Sequence, residues 1–443
     1  MKQSNGSAFS RSFLRSLAAL RQPLIAVVFG LAVGAVVILS CGQNPLEVYA
    51  EMFQKSFLKP YYLFSTLTRA TPIIISAMAT GIAWRAGYIN IGVEGQMITG
   101  AFIGTVVALY VPGPPVLICL LAWLAALAAG ALYALLPAVL TWKFNVSMVI
   151  TTLMLNYVAN YITSYFVTYP LKDTAGDGLA LQTIELNEAM HLPRLSSIST
   201  FNAGFIIAVL VMIGMMFLTR RTVFGYESKM GGFNAAFARY GGTKQIKVMM
   251  ITMALSGAIA AIGGGTEVFG LKYRFVDGMF TSTSYAWTGL MAALMANLHP
   301  VGMFFSAIFL AGLQIGGSAI QRSMGIPLEI ATIIQCCITL FVSVKVVFQF
   351  TKKKKAKKMC IRDSYKAYNG AENGRILIDF AIHAEYTNFP HIVEAYSADC
   401  KALGGRMHIH LSETRKEHDE CVEKYGKTPA RWFYDLGTFD SPT

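Results

Sequence analysis

The sequence predicts an all-α polytopic membrane protein of about ten transmembrane helices with broken or re-entrant segments. Three observations predict it. Of 443 residues, 54% are hydrophobic and 14% charged, where soluble domains carry about 25% charged residues. Apolar runs near the roughly 20 residues that a bilayer demands recur along the first 350 positions. Glycines interrupt two of these runs, at 81–104 and 256–270, joined in the first by amides, and such breaks survive at membrane depth only where protein or water receives the freed polar groups.

Residues 1–21 are polar and basic, and an apolar run follows from Leu24 to Ser40. The run reads as a first span rather than a signal peptide, because Ile38-Leu39-Ser40 before Cys41 fits a lipoprotein cleavage site poorly and further spans follow at once. Further spans are expected at 62–84, 91–111, 115–139, 145–168, 201–219, 247–264, 284–298, 301–319 and 327–349. Ten spans return both termini to one side. That side and its loops carry 18 Lys and Arg against 7 opposite, which places both ends in the cytoplasm.

Two connections do more than link spans. Residues 169–200 hold four acids and two bases and are expected outside, over a pathway mouth, against a solute-delivery protein, or as a solvated loop. Residues 220–247 are basic, glycine-punctuated and internal. Within them Phe233–Tyr240 (FNAAFARY) has the pattern of a short amphipathic helix, lying along lipid headgroups or docking a cytoplasmic motor.

The chemistry concentrates in Gly81–Gly104, where Arg85, Asn90, Glu94 and Gln96 sit inside an apolar region. Polar groups there cost a few kcal/mol each unless they face protein or water. Asn90, Glu94, Gln96 and Asn156 are the candidate lining of a solute pathway, able to hydrogen-bond sugar hydroxyls or base edges; the competing role is helix-to-helix bonding that holds the fold. No GxxxxGK[ST] cradle occurs, and Gly241-Gly242-Thr243-Lys244 lacks its spacing, so no nucleotide cofactor is expected and an ATP-driven cycle needs a separate ATPase. The rival is an ion-coupled secondary transporter of a small polar solute, with Glu94 as its intramembrane acid and Arg69 as a partner. Net charge +13 is dispersed over loops without a nucleic-acid module. The seven cysteines form no CxxC pair.

The string Arg85–Gln96 (RAGYINIGVEGQ) resembles the F-N-I-G-x-E-G-Q signature of ABC transporter permeases for nucleosides and simple sugars, relatives of the branched-chain amino acid and ribose permeases. Tyr88-Ile89 stands where that family often has Leu-Phe. Ser147–Tyr157 (SMVITTLMLNY), Ser256–Gly264 and Trp287–Gly302 also resemble family elements, so the likeness covers about 1–351. It implies a non-enzymatic permease subunit of an importer, working with a cytoplasmic ABC ATPase, a second related permease and an extracytoplasmic solute-binding lipoprotein. The 220–247 loop would then be the surface that couples to the ATPase, with Gly232, Asn234, Ala235, Ala236, Arg239 and Tyr240 as its candidate residues; Gly232-Phe233-Asn234 keeps the family's Gly-x-Asn, and Ser228-Lys229 replaces its usual Arg-Ala.

The chain divides into a transmembrane domain over 1–351, a basic stop and junction over 352–364, and a different sequence over 365–443. Five of the seven histidines fall after residue 380. Met359–Ser364 reads as one translated frame of a transposon-end oligonucleotide, so the junction is read as artefactual and the chain as a chimera. Residues 383–387 (HAEYT) and 407–440 resemble an interior piece of a methylthioadenosine/S-adenosylhomocysteine-type deaminase of the amidohydrolase superfamily. The resemblance implies a metal-binding role for His410 and a substrate or acid–base role for Glu413. The fragment is too short for the ~250-residue (β/α)8 barrel, so neither metal binding nor deamination is expected of it.

Overall fold

The structure is a computed structural model that describes residues 27–175, 179–327, 329–343 and 361–440. Its contacts divide the chain into two units, Met1–Val346 and Val347–Thr443. The basic stop at 352–358 and the start of the 352–364 junction lie outside the described residues.

The first unit is helical. In order it contains α1 (Val27–Ser40), α2 (Pro45–Phe53), α3 (Pro60–Arg85), α4 (Val93–Tyr110), α5 (Pro115–Phe144), α6 (Met148–Thr168), α7 (Gly204–Arg221), α8 (Val223–Phe233), α9 (Ala235–Tyr240) and α10 (Gln245–Glu267). Then come α11 (Met279–Thr283), α12 (Tyr285–Met295), α13 (Pro300–Met324) and α14 (Glu329–Ser343). A helix meets each expected span. Five helical stretches (α4, α5, α7, α13, and α10 extended to Lys272) are individually long and apolar enough to cross a bilayer. The count rises to six if α1 and the α2 stretch to Leu58, bent at 119°, form one broken span. Among the described residues, length and composition alone therefore carry five or six of the ten expected spans. The shortfall has a physical cause: α12 has only 11 residues, and α3 and α6 are diluted by buried polar groups such as Thr66, Ser76 and Asn156.

At the centre stands α3. Every residue from Ala70 to Ala83 is buried, as befits a helix with no lipid-facing stripe. Around it, α4, α5 and α10 pack through small residues. A Cβ added at Gly130 or Gly257 would strike the other's carbonyl oxygen, and one at Gly100 would strike Ala261. Glycine and alanine at such crossings let backbones meet closely, which is how helices associate where lipid supplies no hydrophobic drive. Between α13 and the turn of helix that follows α2, Ser56 Oγ donates to the Gly312 carbonyl at 2.6 Å.

The 169–200 connection does not float free. Its backbone pairs with residues 269–277: Thr183 N donates to Phe275 O (2.9 Å), Leu186 N to Tyr273 O (2.8 Å) and Leu192 N to Phe269 O (2.8 Å). Arg274 binds Glu185 at 2.7 Å and Asp173 at 3.5 Å, while His191 stacks on Tyr273 with ring centroids 3.9 Å apart.

The second unit holds α15 (Ile361–Tyr368), α16 (Ala371–Gly374), β1 (Phe380–Ile382), α17 (Pro390–Ala402), β2 (Met407–Ile409), α18 (Arg415–Tyr425) and α19 (Pro429–Asp435). β1 and β2 pair in parallel, Phe380 opposite Met407 and Ile382 opposite Ile409, with α17 as the crossover a parallel pair requires. Phe380, Val393, Met407, Trp432 and Phe433 form its core.

Candidate functional site

α3 ends at Arg85, and a short turn leads through Asn90 into α4 at Val93. Gly87 takes φ +87° in that turn, a left-handed conformation that glycine adopts without cost. All four candidate lining residues are buried inside the protein. Asn90 is fully engaged. Its Nδ2 donates to Gln96 Oε1 (3.0 Å) and Ser256 Oγ (2.9 Å), and its Oδ1 accepts from Gly92 N (2.9 Å) and Gln96 Nε2 (3.1 Å). Ser256 Oγ donates in turn to Ala79 O at 2.6 Å, so α3, the turn, α4 and α10 are tied at one point. Asn156 clamps the same turn from α6: its Oδ1 accepts from Gly95 N at 2.8 Å and its Nδ2 donates to Ile91 O at 3.1 Å. Asn90 and Gln96 bond each other, and Asn156 bonds the backbone of the same turn, so the three amides join the helices at this point.

Glu94 differs. Its Oε1 accepts from Thr281 Oγ1 of α11 at 2.9 Å, and Thr281, which is exposed, lies 3.4 Å from Asn160 Oδ1 of α6. Thr281 in this cluster is exposed at the protein surface, whereas Asn90 is fully buried. Arg69 does not pair with Glu94. Its Nε donates to Gln314 Oε1 at 2.8 Å, its Nη2 donates to Thr283 O at 3.2 Å, and its guanidinium sits 4.9 Å above the Tyr285 ring centroid. The ion pair that a carrier would employ is replaced by an amide and an aromatic face. Gln314 Nε2 extends the chain to Thr288 Oγ1 at 3.0 Å, and Tyr285 Oη donates to Glu267 Oε1 at 3.2 Å. Glu267 escaped the sequence reading although it follows Gly263–Thr266 inside an apolar run; a lone acid at that depth was the available signal.

The basic connection forms α8 and α9. Asn234 separates them as an N-cap, its Oδ1 accepting from Phe237 N at 3.0 Å, so the expected amphipathic helix begins one residue after Asn234. Ala238 is buried and anchors α9, while Phe233, Phe237 and Tyr240 are 76%, 66% and 94% exposed. Ala235, Ala236, Arg239 and residues 242–247 line a groove of about 930 Å³ beside them. Gly232 sits on the end of α3: a Cβ there would overlap the Arg85 carbonyl oxygen and lie 3.1 Å from Gly87 N. The exposed helices thus touch, backbone to backbone, the turn that carries Asn90.

A family model described as the permease component of branched-chain amino acid transport systems matches residues 62–343. The chain belongs to this family. The permease is 32% identical over 346 residues to the guanosine ABC transporter permease of Bacillus subtilis, covering 78% of this chain and 99% of that one. It is 33% identical over 329 residues to the glucose ABC transporter permease of Haloferax volcanii, covering 72% and 86%. No solved structure matches. The permease is accordingly a membrane component of ATP-driven transport and not itself an enzyme; membership in this family implies an ATPase and a substrate-binding partner.

The tail is similar to something else. It is 46% identical over 79 residues to the 5-methylthioadenosine/S-adenosylhomocysteine deaminase of Caldanaerobacter subterraneus, of which it spans 18%. His410 and Glu413 are exposed. His410 N donates to His383 O at 2.9 Å, with the two rings 5.1 Å apart. Among the described residues no three His, Cys, Asp or Glu side chains gather closely enough to hold a metal ion.

Proposed function

We propose that this permease carries a nucleoside or a simple sugar across the bacterial plasma membrane as one half of a permease pair. The second half is a related subunit and phospholipid surrounds both. Ten helices cross the bilayer, with α12 completed by its flanking turns and both termini cytoplasmic, where the basic excess lies. Transport belongs to 1–351; the 352–364 stop and junction and the 365–443 piece of an incomplete (β/α)8 barrel take no part in it.

One observation carries the reading: the continuous path from α8 through Gly232 to Arg85 and Gly87, and from there to Asn90 and α4. The ATPase docks on α8 and α9 through Asn234, Ala235, Ala236, Arg239, Tyr240 and the exposed aromatic rings. Its movement reaches the Asn90–Gln96–Asn156 joint through the Gly232 contact, and the joint tilts α4, which bears Glu94. On the opposite side, the 169–200 connection forms the mouth against which the binding lipoprotein releases solute. Glu94 with Thr281 and Asn160 meets solute hydroxyls or base edges, since a carboxylate oxygen and a hydroxyl accept and donate in the pattern such groups present.

The test is uptake by proteoliposomes holding the permease pair, its ATPase and its binding protein. ATP-dependent uptake of a radiolabelled nucleoside or hexose, lost when Asn234–Tyr240 becomes a Gly/Ser linker while insertion persists, is the expected result. Uptake driven by an imposed ion gradient without ATP would refute it.

A further inference from the structure

At the α8–α9 end of the first unit lies a cavity of about 410 Å³ walled by Trp84 and Arg85 of α3, Lys229 and Phe233 of α8, and the Asn297–His299 turn before α13. It is separate from the groove beside α9 and from the Glu94 cluster. Its charge is one-sided. Arg85 and Lys229 line it, and Arg220 Nη2 reaches His299 Nε2 at 2.7 Å on its edge. Among the described residues no ion pair reaches Arg85, Arg220 or Lys229; Lys229 Nζ has only the Phe233 ring, 5.7 Å away. Burial and the two neighbouring guanidinium groups push His299 below the usual imidazole range, so the imidazole there is neutral and accepts from Arg220.

Three cations around one concave space, with no carboxylate to balance them, repel one another until an anion enters. The volume decides its size. A bare oxyanion leaves most of the space empty, whereas a phosphate bearing an organic substituent fills it, with Trp84 and Phe233 as apolar walls for that substituent. Arg85 supplies a planar fork suited to phosphate oxygens, and Lys229 a mobile point charge. We infer that this cavity binds a phosphate-bearing anion, a phospholipid headgroup or a soluble phosphate compound, between the end of α3 and the helices proposed to meet the ATPase. Basic pockets between helices at a membrane surface are where such headgroups lodge. Because Gly232 packs on Arg85, an occupant bridging Arg85 and Lys229 holds α8 against α3.

The experiment uses the full chain. Thermal unfolding is followed in nanodiscs of phosphatidylcholine alone and with phosphatidylglycerol. In parallel, protein in neutral detergent is titrated with inorganic phosphate against chloride at matched ionic strength. Lys229→Gln removes one exposed cation from the cavity wall, and Lys143→Gln removes one from the end of α5, outside the cavity. The wild-type midpoint is expected to rise with phosphatidylglycerol or with phosphate, and to respond at least about tenfold more weakly in Lys229→Gln, as loss of a charged hydrogen bond requires, while Lys143→Gln responds as wild type. A rise confined to nanodiscs identifies the lipid source; a rise in detergent identifies the soluble one. Arg220→Gln, on the cavity edge, gives a second reading if Lys229→Gln fails to insert. No rise with either anion overturns the inference. So does equal loss in the Lys229 and Lys143 variants, because general surface charge then explains the effect.

Discussion

Replacing Gly232 by alanine is the sharpest probe of how ATPase docking reaches the pathway. The new methyl has no room: it overlaps the Arg85 carbonyl oxygen and presses on the Ala86 carbonyl carbon at 3.1 Å and Gly87 N at 3.1 Å. These are backbone atoms, so no rotamer change relieves the clash, and overpacking of this kind costs about 1–3 kcal/mol. The strain is met by lifting α8 off the end of α3. If the contact transmits the ATPase stroke, coupling weakens by up to that amount, which is about 5- to 150-fold. The assay is solute-stimulated ATPase activity in proteoliposomes, with insertion checked by protease protection. Gly214→Ala is the control, since nothing lies within 4 Å of its Cβ position. Stimulation in Gly232→Ala within about twofold of Gly214→Ala would refute the transmission argument, whatever the uptake rate.

Three further outcomes are expected. Asn90→Ala strands Gln96 and Ser256 in a buried site, and thermal unfolding in detergent should report a loss of about 1–3 kcal/mol; an unchanged midpoint would remove Asn90 as a joint. Thr281→Val deletes the hydroxyl that faces Glu94 while keeping shape, so the KM for uptake should rise about tenfold with little change in ATPase rate; equal losses in both would point to misfolding. In the second unit, burial, aided by the facing Glu417 carboxylate, pushes Glu385 up to about 7 from 4.5. A raised carboxyl favours the folded state while protonated, so that stability is full below pH 4.5 and is lost as pH rises through about 7. Glu385→Gln should flatten this dependence, read as amide hydrogen exchange over 393–421 corrected for intrinsic rates.

Local chemistry was legible in the sequence, and distant pairing was not. The glycine-broken stretch at 81–104 announced a break between spans, because that signal depends on neighbours along the chain, whereas the capping role of Asn234, inside the expected 233–240 helix, emerges only in the structure. Asn90, however, is satisfied by Ser256, 166 positions away, and only the fold reveals that its amide is spent. Arg69 looked like a partner for Glu94 because both are rare charges in apolar runs; Gln314, 245 positions on, takes it instead. The 169–200 segment showed its acids but not the 269–277 backbone it pairs with. Glu267 stands in the 256–270 stretch, whose plainest signal along the chain is its glycine break. The expectation of ten spans followed runs of residues, whereas buried polar groups such as Thr66 and Ser76 in α3 and Asn156 in α6 lower the hydropathy of those two helices.

The seam joining α4, α5 and α10 has a mechanical consequence. Where Gly130 and Gly257 abut with no side chain between them, neither helix can slide past the other without one carbonyl ploughing through the opposite backbone. The seam is therefore stiff in shear, and Gly100 against Ala261 fastens α4 to the same face, so we expect the three helices to move together against α12 and α13, with α3 between them.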